Sequence, residues 1–267
     1  MPASPVTTGA RHARALLRLV LGCALAGAAS AAAAAGSAGD PPAPFEPLEQ
    51  LEIEAGAWSA EMITDIAAGP LSSELQFTRG VSDALAVALE IESEAGGGRL
   101  AIDQIGLTAL VRLTGQDAAP VAAGAVVKFV AGGDGRLAGA ALGLVAERDV
   151  GPWAASANLT LRHQRDDGAA GHALDYAWSL KRRLGGAIAL GAEGGGPLAV
   201  SAALGDRRHF IGLSLAVHTA HGLGVTRDFA LALLREASLG HAATVLRCAI
   251  QLDFVPRPPR ATPRREP

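Results

Sequence analysis

The chain has 267 residues, of which 49% are hydrophobic and only 18% are charged. Its formal charge is −3, and loss of Arg11, Arg14 and Arg18 with an export signal leaves 20 basic against 26 acidic side chains. An acidic chain is a poor match for nucleic acid, whose phosphates need a basic surface. The two cysteines are Cys23 and Cys248, so a cysteine metal cluster is excluded, as is an internal disulfide once Cys23 leaves with the signal.

Residues 1–31 predict a secretory signal peptide. Three arginines give a positive start, a short run rich in Leu and Ala follows, and Ala29-Ser30-Ala31 provides a cleavage site. Two alternatives stay open. The segment could remain as an uncleaved membrane anchor, or it could be a lipoprotein signal acylated at Cys23, since residues 20–23 read Val-Leu-Gly-Cys.

Residues 32–57 predict a flexible periplasmic lead-in. An Ala- and Gly-rich stretch is followed by closely spaced prolines at Pro41, Pro42 and Pro44, and then by several glutamates. Proline removes a backbone donor and fixes φ, so this spacing disfavours a regular helix or a central strand.

From Trp58 to Phe254 the main signal is a two-residue alternation of apolar and polar side chains. In the last segment, Leu246, Cys248, Ile250, Leu252 and Phe254 share one face, while Arg247, Ala249, Gln251 and Asp253 share the other. Alternate side chains of a strand point to opposite faces, so each such segment predicts a strand with one oily and one polar face. No uninterrupted apolar run after the signal reaches the roughly 18 residues that a spanning helix needs.

Turn signals rich in Gly, Pro and Asp separate these segments at the spacing of hairpins, as at Gly151-Pro152 and Asp166-Asp167-Gly168. The pattern supplies about thirteen candidate strands, and single-chain membrane barrels usually have an even number. The least regular region lies between Gly186 and Gly205. We therefore predict an all-β fold, a single antiparallel up-and-down transmembrane β-barrel of about twelve strands over residues 58–254. A soluble β-sandwich is the rival, because its strands also alternate.

The last 13 residues, 255–267, predict a disordered tail. They hold five prolines and four arginines and carry no alternation.

Three short segments resemble a family of small proteobacterial outer-membrane barrels known as outer-membrane transporters or meta-pathway phenol-degradation proteins. They are Glu74–Asp83, which reads as an acid-rich hairpin, Ala157–Arg162, which reads as an Asn-Leu strand, and Gly191–Gly194, with its Gly-x-Glu pattern. The resemblance implies an outer-membrane channel for a small, hydrophobic or aromatic solute. Leu246–Phe254 also resembles the C-terminal signal that the barrel-assembly machinery recognises, although a tail follows Phe254.

Charged residues that alternate with the oily face are the candidates for lining the barrel lumen. They are Glu61, Asp65, Glu74, Glu90, Glu92, Arg112, Lys128, Arg162, Lys181, Glu193, Arg247 and Asp253. Arg79, Arg227 and Asp103 are assigned to the same face. Two readings stay open: a network of ion pairs that narrows the lumen, or a polar lining that passes a solute.

Catalytic and metal sites find little support in the sequence. His218 and His221 are three residues apart, so on a strand they face opposite sides and do not converge on a metal. By strand parity Ser156, Asn158 and His218 are candidates for the inner face, but nothing in the sequence brings them together as a hydrolase site. We therefore expect a protein of the bacterial outer membrane that is not an enzyme, needs no cofactor, contacts outer-membrane lipid and transports a small solute passively. A structural barrel without transport is the alternative, and a barrel lipid hydrolase is a less favoured one.

Overall fold

The computed structural model describes residues 51, 54–67, 71–96, 99–114, 119–166, 169–201, 208–221, 225–237 and 243–254. The predicted signal peptide, most of the lead-in and the predicted tail lie outside the described residues.

Twelve β-strands make up the described chain, and they run for between 9 and 16 residues. Strands of this length are long enough to cross a bilayer at a tilt, which takes about 9–11 residues. The strands are β1 (Trp58–Ile66), β2 (Leu71–Ser82), β3 (Leu85–Gly96), β4 (Arg99–Thr114), β5 (Ala122–Gly132), β6 (Leu137–Val150), β7 (Trp153–Asp166), β8 (Ala169–Arg183), β9 (Ile188–Val200), β10 (Phe210–His221), β11 (Val225–Glu236) and β12 (Thr244–Phe254).

Each strand pairs antiparallel with its neighbours in sequence, and β12 pairs with β1 to close the ring. The closing register runs from Trp58 opposite Phe254 to Ile66 opposite Leu246. The predicted twelve-strand up-and-down barrel is therefore confirmed. Because the strand number is even, the first and last strands begin and end at the same rim, which we call the terminal end; the opposite rim is the distal end.

Large apolar side chains cover the outer wall. On β6 and β7, Leu142 lies opposite Leu161 and Leu144 lies opposite Leu159, and all four face outward with 40–58% of their surface exposed. The residues between them, such as Val145 and Asn158, point inward and are buried. An apolar outer wall and a polar interior are the arrangement of a barrel in lipid, and a soluble sandwich would bury these leucines between its sheets.

No described residue belongs to a helix that is both long and apolar enough to cross a membrane.

The irregular region after Gly186 forms one strand, β9, in spite of its glycines and Pro197. The register between β8 and β9 shifts at Leu174 and Asp175, so a bulge absorbs the irregularity. The tight turn between β6 and β7 is made by Gly151, whose φ of 57° lies in the left-handed region that suits glycine.

The close approach of β8 and β9 gives a test of the packing. A Cβ at Gly191 would collide with the Leu180 carbonyl and lie 2.7 Å from the Cα of Lys181, whereas a Cβ at Gly186 meets nothing within 4 Å. We expect Gly191→Ala to lower the free energy of unfolding by about 1–3 kcal/mol, because two backbones must separate.

Urea titration of refolded protein, followed on gels of unboiled samples, measures this difference. Gly186→Ala is the matched control and should unfold at the wild-type urea concentration. Equal midpoints for the two variants would show that β8 and β9 are not packed as described.

Candidate functional site

The interior of the barrel is the candidate functional site, and it opens at the terminal end as a cavity of about 820 Å³. We call this cavity the vestibule. Four of the twelve candidate residues line it: Glu61, Arg112, Lys181 and Asp253. Its remaining walls combine small apolar side chains with hydroxyl and amide groups, for example Ala88, Leu110, Thr78, Gln76 and Gln251.

Acidic and basic side chains occupy different walls of the vestibule. Glu61, Asp253 and Asp228 lie on β1, β12 and β11, which are adjacent in the ring. Lys181 and Arg183 lie on β8, and Arg112 lies on β4. A solute in this space therefore meets carboxylates on one side and cations on others.

Polar contacts organise the acidic wall. Asp253 accepts hydrogen bonds from the Thr226 hydroxyl at 3.0 Å and from the Gln251 amide at 2.8 Å. The Nδ1 atom of His218 lies 2.5 Å from Oδ1 of Asp228 on the neighbouring strand. Strand parity alone places His218 on the inner face but gives no partner for it, since the pairing depends on the register of β10 and β11.

The N-terminal segment before β1 closes part of the interior. The Leu51 side chain is 2% exposed and packs against inward-facing Ala86, Leu110, Val126 and Val145. Its N–H donates to the Glu147 carboxylate at 3.0 Å, and its carbonyl accepts from the Arg112 guanidinium. A Cβ at Gly124 would collide with Leu51, so this glycine makes the room.

The same segment is fixed at the rim by backbone contacts. Gly56 N–H donates to the Gly80 carbonyl at 2.8 Å, and Ala55 N–H donates to the Asp83 carboxylate at 3.1 Å. A Cβ at Gly80 would collide with the Glu54 carbonyl. These described residues of the lead-in therefore contact the barrel at its terminal rim.

Beyond the vestibule, the interior is filled by side chains that are at most 9% exposed. We call this layer the waist. Every strand except β2 contributes to it, through Asp65, Glu90, Thr108, Lys128, Val145, Asn158, Ser179, Glu193, Ser214, Leu234 and Arg247. Thr108 also borders the vestibule. Side chains around a wide water-filled pore would be exposed to that water, so the waist is narrow and packed.

Arg247 is the centre of one ion-pair group in the waist. Its Nε and Nη2 atoms donate to the two carboxylate oxygens of Asp65, each at 2.8 Å, across the β1–β12 seam. Glu193 and Glu74 also interact electrostatically with Arg247. The bidentate pair gives each buried charge a partner. A buried guanidinium needs one, because leaving it unpaired would lower the free energy of unfolding by several kcal/mol.

Lys128 is the centre of the second group. Its Nζ lies 2.6 Å from Glu90 Oε2 and 3.7 Å from Glu92 Oε1, and Glu90 also accepts a hydrogen bond from the Thr108 hydroxyl. Lys128 and Glu90 belong to β5 and β3, with β4 between them. Gly106 on β4 leaves room for the Lys128–Glu90 contact, since a Cβ at this position would lie 3.1 Å from Glu90 Oε2.

The remaining candidate, Arg162, lies toward the distal end. Its Nε donates to Asp175 at 3.1 Å and its Nη1 donates to Gln164 at 2.7 Å. Arg79 and Arg227, which the sequence analysis assigned to the inner face, are on the outer face instead. Each is exposed and alternates with residues that line the vestibule, namely Thr78 and Gly80, and Thr226 and Asp228.

Among the residues it describes, the structure holds no metal cluster and does not bring Ser156 and His218 together. No group of three or more His, Cys, Asp or Glu in those residues is placed to hold a metal ion. The Ser156 hydroxyl contacts Ser179 at 2.9 Å, while His218 contacts Asp228, so the expected serine and histidine have different partners.

Solved outer-membrane channels have a similar fold. The KdgM porin matches with a TM-score of 0.51 and 8% identity over 74% of this chain and 99% of that chain. The NanC porin matches with a TM-score of 0.50 and 8% identity over 74% and 100%. The COG4313 outer membrane channel from Pseudomonas putida F1 matches with a TM-score of 0.50 and 12% identity over 81% and 99%.

No protein-family model matches the sequence, and no curated protein matches it. At these identities the likeness shows the fold alone. The chain therefore has the barrel fold of outer-membrane porins and channels.

Cysteine labelling tests the division between vestibule and waist. With Cys23 and Cys248 changed to serine, we expect Gln251→Cys to react with a membrane-impermeant maleimide, because its position lines the vestibule. Ser214→Cys should react at least about tenfold more slowly, because Ser214 is 3% exposed and a thiol must be accessible to react.

Both variants should show wild-type migration on unboiled gels before labelling. Similar labelling rates at the two positions would contradict a packed waist.

Proposed function

We propose that the protein is a channel of the bacterial outer membrane that passes a small solute passively. The observation that carries this proposal is a barrel of the porin and channel fold with a vestibule of about 820 Å³ leading to a waist of paired charges. A cavity of this size accommodates a small molecule. The charged side chains of the waist pair with each other. A passing solute must therefore displace these side chains, and it does not have to remove water from unpaired charges.

The vestibule lining is compatible with a hydrophobic or aromatic solute, which is the class that the sequence resemblance implies. Leu110 and several alanines offer apolar contact, while Thr78 and Gln76 offer hydrogen bonds. The acidic and basic walls would orient a polar substituent on such a solute. Fold alone does not fix this choice, so the solute class rests on the lining and the resemblance together.

A structural barrel without transport is the second candidate, and the packed waist favours it. Glu90, Thr108 and Leu234 are almost fully shielded from water. If the waist never rearranged, the barrel would only anchor the chain in the membrane. The two candidates differ in one measurable property, which is permeability.

An enzymatic role receives less support than either. Ser156 and His218 make no hydrogen bond to each other among the described residues, so the nucleophile and base of a lipid hydrolase are not assembled. We infer that the protein is not an enzyme. Phospholipid turnover that is abolished by Ser156→Ala would overturn this inference.

We also propose that Leu246–Phe254 is the segment that the barrel-assembly machinery recognises. These residues lie in β12, the strand that closes the ring against β1, and the aromatic Phe254 is exposed on the outer wall.

Removing both members of the Asp65–Arg247 pair tests the channel. The double variant Asp65→Ser, Arg247→Ser leaves no unpaired charge from this pair and removes bulk from the waist. We expect it to raise the single-channel conductance several-fold over wild type in planar bilayers, because packed side chains fill the interior at the waist. Leu213→Ala, an outward-facing change, is the control and should leave conductance unchanged.

Swelling assays on proteoliposomes with a panel of small polar, hydrophobic and aromatic solutes complete the test. Uptake of at least one solute by wild type supports the channel. If wild type passes no solute and the double variant conducts no ions, the transport proposal fails and the structural reading replaces it.

A further inference from the structure

The outer wall at the terminal end carries charge of a single sign. Four arginines face outward there, on four different strands: Arg79 on β2, Arg148 on β6, Arg182 on β8 and Arg227 on β11. All four are exposed, and each alternates with inward-facing neighbours. No aspartate or glutamate occupies an outward-facing position at this end of the described strands.

Two of these arginines are stacked on tryptophan rings. The Arg79 guanidinium carbon lies 4.7 Å from the centre of the Trp58 ring, and that of Arg182 lies 5.8 Å from the centre of the Trp153 ring. Each stack joins directly opposed residues of neighbouring strands. Stacking holds the guanidinium against the wall and leaves its N–H edge for another partner.

The two stacks lie on opposite sides of the barrel. One spans β1 and β2 and the other spans β7 and β8, which are six places apart in a ring of twelve. Arg148 adds a second cation beside the β7–β8 stack, because its register partner is Ala155 and the partner of Trp153 is Val150, two residues away on the same face.

The position of these groups selects the kind of partner. The wall next to them, toward the membrane centre, is apolar, with Phe77 and Leu180 exposed two residues from Arg79 and Arg182 on the same faces. Tryptophan rings in membrane proteins lie at headgroup depth. A partner that fits both the apolar wall and the arginines has hydrocarbon chains and an anionic group at their polar end. Guanidinium pairs best with phosphate or carboxylate, in a bidentate fashion.

We propose that the Trp58–Arg79 and Trp153–Arg182 stacks are two binding sites for phospholipid headgroups, each holding the phosphate of a lipid in the leaflet at the terminal end. In barrels of this class that leaflet faces the periplasm. The sites would fix the depth of the barrel in the membrane at two opposed points. This inference concerns the outer wall and does not depend on whether the lumen conducts.

Native mass spectrometry of the purified full chain from mixed micelles tests the proposal. Three probes are compared: phosphatidylglycerol, diacylglycerol with the same acyl chains, and inorganic phosphate. Wild type should retain two phosphatidylglycerol molecules under activation that removes diacylglycerol, and phosphate alone should not be retained. Equal retention of diacylglycerol, or retention of inorganic phosphate at these arginines, would overturn the lipid-headgroup proposal.

Variants assign the retained lipids to the stacks. Arg79→Gln and Arg182→Gln should each lose one of the two lipids, and the double variant should bind phosphatidylglycerol at least about tenfold more weakly, since each change removes a charge-assisted hydrogen bond. Arg235→Gln, an exposed arginine at the distal end of β11, is the matched control and should bind as wild type.

Unboiled gels confirm that each variant is folded before binding is measured. If the double variant fails to fold, the two single variants still decide the matter, because each removes only one site. Undiminished binding of phosphatidylglycerol in folded Arg79→Gln and Arg182→Gln would overturn the proposal.

Discussion

The rest of this structure depends on one constraint: a backbone N–H or C=O group in the core of a bilayer must find its partner within the protein. A sheet satisfies this constraint only if it has no edge, and the pairing of β1 with β12 removes the edge here. Closure then divides the side chains of every strand between lipid and interior with a period of two. The exposed leucines of β6 and β7 and the buried charges of the waist are both consequences of that division.

Closure also creates the main electrostatic problem of the interior. Charged residues on the inner face are taken out of bulk water, so they are stable only when paired. Arg247 meets this demand across the closing seam with Asp65, and Lys128 meets it across β4 with Glu90. These pairs pack into a narrow waist, while the terminal half keeps a vestibule whose mouth is partly filled by Leu51. Under the proposed function, a solute passes only when the waist rearranges.

The fold was predictable from sequence because alternation is a local property that each strand carries by itself. In Leu246–Phe254 the alternation is visible in the sequence alone. Strand β9 is interrupted by Gly194 and Pro197, but it keeps enough alternation to form a strand with a bulge. The site was only partly predictable. Parity places Asp65 and Arg247 inward, but their contact joins residues 182 apart and follows only from the register of the seam.

Other features carry no periodic signal at all. Leu51 precedes the first strand. Only the three-dimensional structure shows that Gly124 leaves the space that the Leu51 side chain fills. Charge complementarity with the acids favours an inward position for Arg79 and Arg227, although their own strands place them outward with Phe77 and Phe229. Strand parity, counted residue by residue, is thus more informative than charge complementarity.

The most direct test of the account is gel migration of the protein with and without boiling, combined with fractionation of the membranes in which it is expressed. Closed membrane barrels resist unfolding by detergent until they are heated. We predict recovery in the outer-membrane fraction and a clear shift in apparent mass on boiling. Recovery in the soluble fraction, with identical migration of boiled and unboiled samples, would contradict a closed barrel in lipid.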